Sequence, residues 1–363
     1  MNDPDPAAHL ETAEGVQAYV RDRLPGLELT GAPTRLPEGN LNVVWRVPGA
    51  DRSVILKYAP PHIAVDPTTP LDPSRLVIEA RCLEALGSGG SLAGLRGSSV
   101  RPPRRIDVQT EPHVLIMEDC GDGPTLGRWL REGEETTVQK EVPNIGRRLG
   151  RFIGRLHRTT FDNPDCATTF DNWPMQETRL AVQYQGVADM LRAGGIGDAE
   201  TLGERAESLG ESLLDPGRCL TMGDLWPPSV LVTERGALRV IDWELAHYGR
   251  PLQDVAHWLA HLWMQGHRAP SEAVEKALAD HRDAFLEGYA GALGDKMTLL
   301  WDDAERRGAA IHFGAEILVR AVGPFRDGYV YAGLEADHPA VQEAVATAAA
   351  CLRDPAAAAI LEP

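Results

Sequence analysis

Paired cysteines are missing from this sequence. Cys82, Cys120, Cys166, Cys219 and Cys351 stand far apart with no C-x-x-C spacing, so neither a zinc-binding pattern nor a disulfide framework is signalled, and the five are expected as free thiols in a reducing compartment. Basic charge is also in deficit. Lys and Arg number 36 against 53 Asp and Glu, a formal net charge of -17. Such a surface repels a phosphate backbone or an anionic bilayer, which excludes nucleic acid and membrane as expected partners; it serves solubility or favours a cationic small substrate. Long apolar runs are absent too, since no window approaches the ~20 apolar residues of a membrane span. The opening Met-Asn-Asp-Pro-Asp-Pro has neither the basic segment nor the apolar core of an export signal, and a cytoplasmic location is expected.

What is present is a chain of 363 residues, 43% hydrophobic and 25% charged. That composition excludes wholesale disorder, and the length is enough for two lobes that each bury a core. A segment ending at Leu24 has short-helix periodicity. In Leu36-Pro37-Glu38-Gly39-Asn40-Leu41-Asn42-Val43-Val44-Trp45-Arg46-Val47 the alternation of Val43, Trp45 and Val47 reads as a strand. Its Gly39-Asn40-Leu41-Asn42 tip has the backbone freedom and amide donors that suit a phosphate, or is simply a turn. A second strand, Ser53–Lys57, ends on a lysine, poorly placed there unless it meets an anion.

A helix signalled by Asp72 as N-cap and Pro73 as first residue follows. Leu76, Glu79, Ala80, Leu83 and Leu86 share one face, whereas Glu84 lies on a solvated one. Periodicity alone leaves two readings of Glu79: a partner for Lys57, or a partly exposed helix glutamate. After a Gly/Ser-rich stretch from Gly87 to Ser99, the strand Val114–Met117 runs into Glu118-Asp119-Cys120-Gly121. Beyond Thr125 the pattern turns helical, and Ile145, Leu149, Phe152, Ile153 and Leu156 mark one long helix that closes with His157.

The most informative stretch is Thr221-Met222-Gly223-Asp224-Leu225-Trp226-Pro227-Pro228-Ser229, with a strand to Val232 and a second strand that delivers Asp242-Trp243-Glu244. One carboxylate in a Gly-bearing loop and two at a strand end can serve a hydroxyl and a divalent metal, the apparatus of phosphoryl transfer; a hairpin whose acids cap turns is the other reading. His257 and His261 stand four apart on an apolar helix opening near Asp254. No general-base Glu lies between them, so they read as core or hydrogen-bonded histidines. Helices are expected near 271–292, 303–322 and 338–353.

Taken in order, Lys57, Glu79, the strand into Glu118–Cys120, Asp224 and Asp242 resemble the aminoglycoside phosphotransferase and choline kinase-like superfamily. Gly39–Val47, Gly223-Asp224-Leu225 with Ser229, Asp242-x-Glu244 and Phe313–Arg320 look nearest to its methylthioribose kinase branch. The resemblance implies an α+β, bilobal protein-kinase-like fold. Residues 1–118 would be a nucleotide-binding lobe with a small antiparallel sheet and one helix; residues 119–363 would be a larger, mostly helical catalytic and acceptor-binding lobe. It implies ATP and Mg2+ as cofactors, and a γ-phosphoryl group passed to the hydroxyl of a small polar metabolite, sugar-like or polyhydroxylated.

By the same likeness Asp224 is the catalytic base and touches the acceptor. Gly39, Asn40, Asn42 and Lys57 meet phosphates, with Glu79 holding Lys57 toward them; backbone groups from Glu118 to Cys120 meet adenine, and Asp242 binds the metal. Ser229 stands where asparagine is usual, and Glu244 is expected to compensate as a further metal ligand, unless it pairs with a neighbour such as Arg250. Met222 replaces a usual histidine. Where the methylthioribose branch has two adjacent arginines this chain has Val319 and Arg320, which counts against methylthioribose itself and leaves Arg320 as an acceptor contact or a salt bridge. Antibiotic phosphorylation and a nucleotide-binding pseudokinase are the competing functions, and oligomeric state, a homodimer included, is left open.

Overall fold

The computed structural model describes residues 8–37, 41–97 and 99–357. Two compact units are present: Met1–Gly123 with Arg239–Leu245, and Pro124–Leu238 with Ala246–Pro363. A single boundary after residue 118 had no place for the short return segment, which carries Asp242 and Glu244 into the first unit.

The first unit is built on a five-stranded antiparallel sheet, in spatial order Thr34–Arg35, Val43–Val47, Val54–Tyr58, His113–Glu118 and Arg105–Thr110. Period-2 side chains put Val43, Trp45 and Val47 on the buried face, where they meet Leu10, Val16 and Val20 of the N-terminal helical segment. Trp45 Nε1 donates to the Leu10 carbonyl at 3.0 Å, which satisfies the indole while its ring fills the core. The next strand breaks the alternation. Leu56 and Lys57 are both buried, and a buried ammonium requires an anion.

That anion comes from the helix Arg75–Ala85, whose buried face carries Leu76, Glu79, Ala80 and Leu83 while Glu84 is exposed and pairs with Arg105. The helix starts later than Asp72 and Pro73 predict. Asp72 Oδ1 accepts the Ser74 N–H at 2.8 Å, closing a local turn instead of capping a helix.

The second unit is mainly helical. Its longest helix, Glu135–Thr160, lies against Glu272–Leu293. Gly146, Gly150 and Gly154, one per turn, face His281, Phe285 and Tyr289: a Cβ at Gly150 would stand 2.0 Å from the Phe285 carbonyl oxygen, so only glycine permits this approach. The close packing brings His157 to Tyr289. Strand Cys219–Thr221 pairs antiparallel with His247–Gly249, and helices Leu252–His267, Asp303–Ala321 and Pro339–Arg353 follow, near their expected places. Among the described residues no helix is long and apolar enough to cross a membrane.

Candidate active site

In the first unit Lys57 Nζ stands 2.7 Å from Glu79 Oε2, 3.0 Å from Asp242 Oδ1 and 3.3 Å from Glu244 Oε1. Burial opposes the ammonium, but these three carboxylates outweigh it and hold Lys57 well above the ordinary lysine range. Burial pushes Glu79 up to about 7; Lys57 pulls it down and the neighbouring acids push it up further. Of the two readings of Glu79, the buried pair is the observed one.

Arg75 is the fifth charge of this cluster. It is fully buried and donates from Nε to Glu244 Oε2 at 2.9 Å. Two cations face three carboxylates, so with all five groups ionised one negative charge is in excess. The only one of those carboxylates substantially open to solvent is Asp242, whose side chain is 44% exposed. Its φ of 63° lies in the left-handed region, which costs a non-glycine residue on the order of 1 kcal/mol or more. A hard-oxygen donor, exposed and carrying unbalanced charge, fits a magnesium ion.

Glu244 and Ser229 do not fit that role. Both Glu244 oxygens accept from Asn42 Nδ2, at 2.7 and 2.9 Å, besides meeting Arg75 and Lys57, and the residue is 4% exposed. Arg250, the neighbour considered for it, pairs with Glu305. The Ser229 hydroxyl donates to the Trp226 carbonyl at 2.8 Å and accepts its N–H at 3.2 Å, closing the turn of its own loop, and it is fully buried. The Asn42 side chain is likewise consumed: besides Glu244, its Oδ1 accepts from Arg75 at 3.1 Å. Gly39 and Asn40 lie outside the described residues.

Glu118 accepts both Arg101 nitrogens, at 2.7 and 2.6 Å, and the Arg104 N–H at 3.0 Å. Its side chain therefore anchors the strand end, and burial pushes the Cys120 thiol up to about 11. Arg46 clamps the segment that follows, reaching Asp119 at 2.8 Å, the Gly121 carbonyl at 3.1 Å and Asp122.

In the second unit the loop holding Asp224 is braced from beneath. Asp254 accepts the Met222 and Gly223 N–H groups at 2.9 and 2.8 Å, and His157 fixes Asp254 at 3.0 Å while bonding Tyr289 at 2.9 Å. Gly223 has a φ of 79°, which glycine adopts without penalty and which turns the chain ahead of the aspartate. Asp224 Oδ1 lies 3.3 Å from His257 Nε2 and 3.7 Å from Arg179, which also donates to the Gly223 carbonyl. Burial would raise Asp224, but His257, Arg179 and Arg320 together hold it below the usual carboxylate range. It is ionised at neutral pH and partly open to solvent, with a side chain 23% exposed.

Behind it lies a buried polar network. Glu316 accepts from Arg320 Nε at 2.8 Å and Gln183 Nε2 at 3.0 Å, and His261 Nε2 is 3.0 Å away. The Arg320 guanidinium lies 4.6 Å from the Trp226 ring centroid and 5.4 Å from those of Phe325 and Tyr329. Arg320 is thus both an ion-pair member and an aromatic-stacked, mostly buried cation. His257 and His261 are hydrogen-bonding core histidines, as the lack of an intervening general base implied. Sequence reading missed Arg75, Arg179 and Glu316. Arg75 is one turn before Glu79 and Glu316 one turn before Arg320, so helical spacing held the signal for two of them; Arg179 had none.

The profile of the phosphotransferase enzyme family (APH) matches residues 33–300. The chain belongs to that family: it is an ATP-dependent phosphotransferase with an alcohol group as acceptor. Over 348 residues it is 26% identical to a 4-hydroxytryptamine kinase of Psilocybe cyanescens, covering 92% of this chain and 94% of that one. A methylthioribose kinase of Escherichia coli is 23% identical over 321 residues, covering 79% and 72%. Among solved structures, the amicoumacin kinase hAmiN in complex with AMP-PNP, Ca2+ and Ami superposes with a TM-score of 0.52 at 16% identity, covering 97% of this chain and 98% of that one, which establishes a shared fold.

Proposed function

We propose that the enzyme passes the γ-phosphoryl group of ATP to a hydroxyl of a small polar metabolite, sugar-like or polyhydroxylated. The observation that carries this reading is the buried Lys57–Glu79 pair with Asp242 on the same ammonium. Lys57 would grip the phosphates, and backbone groups from Glu118 to Cys120 would receive adenine. Asp242 would hold magnesium, which when bound neutralises charge on the phosphates. Asp224 would accept the hydroxyl proton as the acceptor oxygen bonds to the γ-phosphorus; the bond from phosphorus to the bridging oxygen breaks and its electrons leave with ADP. Arg320 would contact the acceptor.

A second reading, an aromatic hydroxyl as acceptor, is favoured by the Trp226, Tyr329 and half-exposed Phe325 rings around Arg320. ADP release from the purified protein, screened across sugars, nucleoside-derived thiosugars, amino alcohols, aminoglycosides and hydroxyindoles, separates the two. Release with hydroxyindoles alone would reject the sugar-like reading.

A further inference from the structure

Asp224 offers two oxygens, yet the two cationic or imidazole groups closest to it, His257 Nε2 and Arg179, both approach Oδ1. We propose that His257 is a positioning residue for the base: it fixes Oδ1 of Asp224 and leaves Oδ2 as the atom that takes the acceptor proton. This rests on the assignment of Asp224 as the base and adds which oxygen acts and what aims it.

The argument comes from proton bookkeeping in the buried network. The Tyr184 hydroxyl lies 2.6 Å from His312 Nδ1, and His312 Nε2 lies 3.4 Å from His257 Nδ1. Tyr184, His312 and His257 are all buried, and burial keeps the phenol protonated and His312 neutral. A phenol that donates to His312 Nδ1 leaves that ring's proton on Nε2, pointed at His257. His257 Nδ1 is then an acceptor and its proton sits on Nε2, 3.3 Å from Asp224. In that arrangement every proton in the row Tyr184, His312, His257, Asp224 points toward the carboxylate, and it is the direction of the row that offers Asp224 a donor.

His257 Nε2 is buried and has no aligned hydrogen-bond partner; catalytic hydrogen bonds are often long until substrate is bound. The charged and titratable groups around the pair are His261 on the His257 helix, Arg179 on the helix Trp173–Arg179, and His312, Glu316 and Arg320 on the helix Asp303–Ala321. The competing acceptor for His257 is Glu316, whose Oε2 is 3.6 Å from Nδ1, but that oxygen already receives Gln183 at 3.0 Å.

Two measurements on the full chain test this. Long-range proton–nitrogen spectra of imidazole-labelled protein, with His257 assigned by loss of its signals in His257→Gln, should show a proton on Nε2 of His257 at pH 7.5. A ring whose Nε2 carries no proton overturns the proposal. The second is the pH dependence of kcat, using ATP and whichever acceptor of the ADP-release screen the wild type turns over. Removing a donor to the ionised base raises the pKa of Asp224, so in His257→Leu the acidic limb should move up by about 1 pH unit and kcat fall roughly 10- to 100-fold. KM for ATP should stay the same, and His257→Gln, which keeps an N–H donor, should recover most of the loss. Variants that melt and bind a fluorescent ATP analogue like wild type but leave the acidic limb in place would reject the positioning role. Absence of any phosphoryl transfer by the wild type would reject the kinase reading and this proposal with it, whereas an unprotonated Nε2 or an unmoved acidic limb in an active enzyme would reject the positioning role alone.

Discussion

Arg75 and Glu244, separated by 169 residues, are joined by a 2.9 Å ion pair with both side chains almost wholly out of solvent. The pair ties the helix that presents Glu79 to the turn that presents Asp242. Glu244 is thereby an anchor whose removal takes the carboxylate from the fully buried Arg75 guanidinium, while Lys57 keeps Glu79 and Asp242. Glu244→Ala should lower the unfolding free energy by about 3–5 kcal/mol in urea titrations. Glu244→Gln, where it folds, should leave the magnesium concentration for half-maximal rate unchanged, whereas Asp242→Ala should abolish transfer. A Glu244→Gln enzyme that needs several-fold more magnesium would restore Glu244 as a ligand.

Asp224→Asn keeps the shape of the side chain and removes its basicity. Turnover should drop ~10²–10⁴-fold with little change in nucleotide affinity, measured by ADP release and by titration with a fluorescent ATP analogue. Turnover within a few-fold of wild type would move the base elsewhere.

Lys57 and Glu79 share one short contact in the core. Lys57→Ala and Glu79→Ala should each impair use of ATP, and the double variant should be much less impaired than the product of the two losses. Independent, multiplicative losses in kcat/KM for ATP would mean that Glu79 does not act through Lys57.

Arg320 sits on aromatic rings and on Glu316, so its removal disturbs packing and, in the proposed role, acceptor binding. Arg320→Lys keeps the charge and loses the planar stacking, and it should raise KM for the acceptor while KM for ATP stays near wild type. If neither acceptor KM nor kcat responds in Arg320→Ala, the tail helix does not contact the acceptor.

Acid should destabilise the protein through its buried histidines. Burial lowers His281 to about 4 and His261 to about 3, both from an ordinary value near 6.5. Above pH 6.5 neither state binds these protons. Below it the unfolded chain takes them up and the folded one does not, so stability falls toward pH 4, each histidine adding a slope of up to about 1.4 kcal/mol per pH unit. His281 Nδ1 faces the Val142 carbonyl at 2.7 Å and packs beside Trp258. His281→Gln should flatten the loss between pH 6.5 and 4.5 in urea unfolding; an unaltered slope would place the acid-sensitive protons at other groups.

Much of the fold was legible because its signals are local. Alternation at Val43, Trp45 and Val47 placed a strand, the stripe through Leu76, Glu79, Ala80 and Leu83 placed a buried face, and Asp224 and Asp242 stood out as acids at loop and strand ends. What escaped reading depends on partners far along the chain. Nothing near Asn42 shows that its amide is already spent on Glu244, so it looked available to ligands; Ser229 is a different case, its hydroxyl spent on the Trp226 backbone of its own turn, which depends on a loop geometry that residue types do not disclose. Arg179 contacts the Asp224 loop only after some 44 residues of intervening chain have folded. The glycines at 146, 150 and 154 carry no local signal of their use, which shows only opposite the His281, Phe285 and Tyr289 backbone.

In the proposed role of Asp242 as metal ligand, its left-handed backbone sets the demands of catalysis against those of durability. Glycine there would relax the torsion, and it would also remove the surplus carboxylate from around Lys57 and Arg75, leaving Glu79 and Glu244 to balance two cations. If Asp242 has the proposed metal-binding role, an Asp242→Gly variant relieves the torsion, gives up the 3.0 Å contact to Lys57, and is expected to lose transfer whatever it gains in stability.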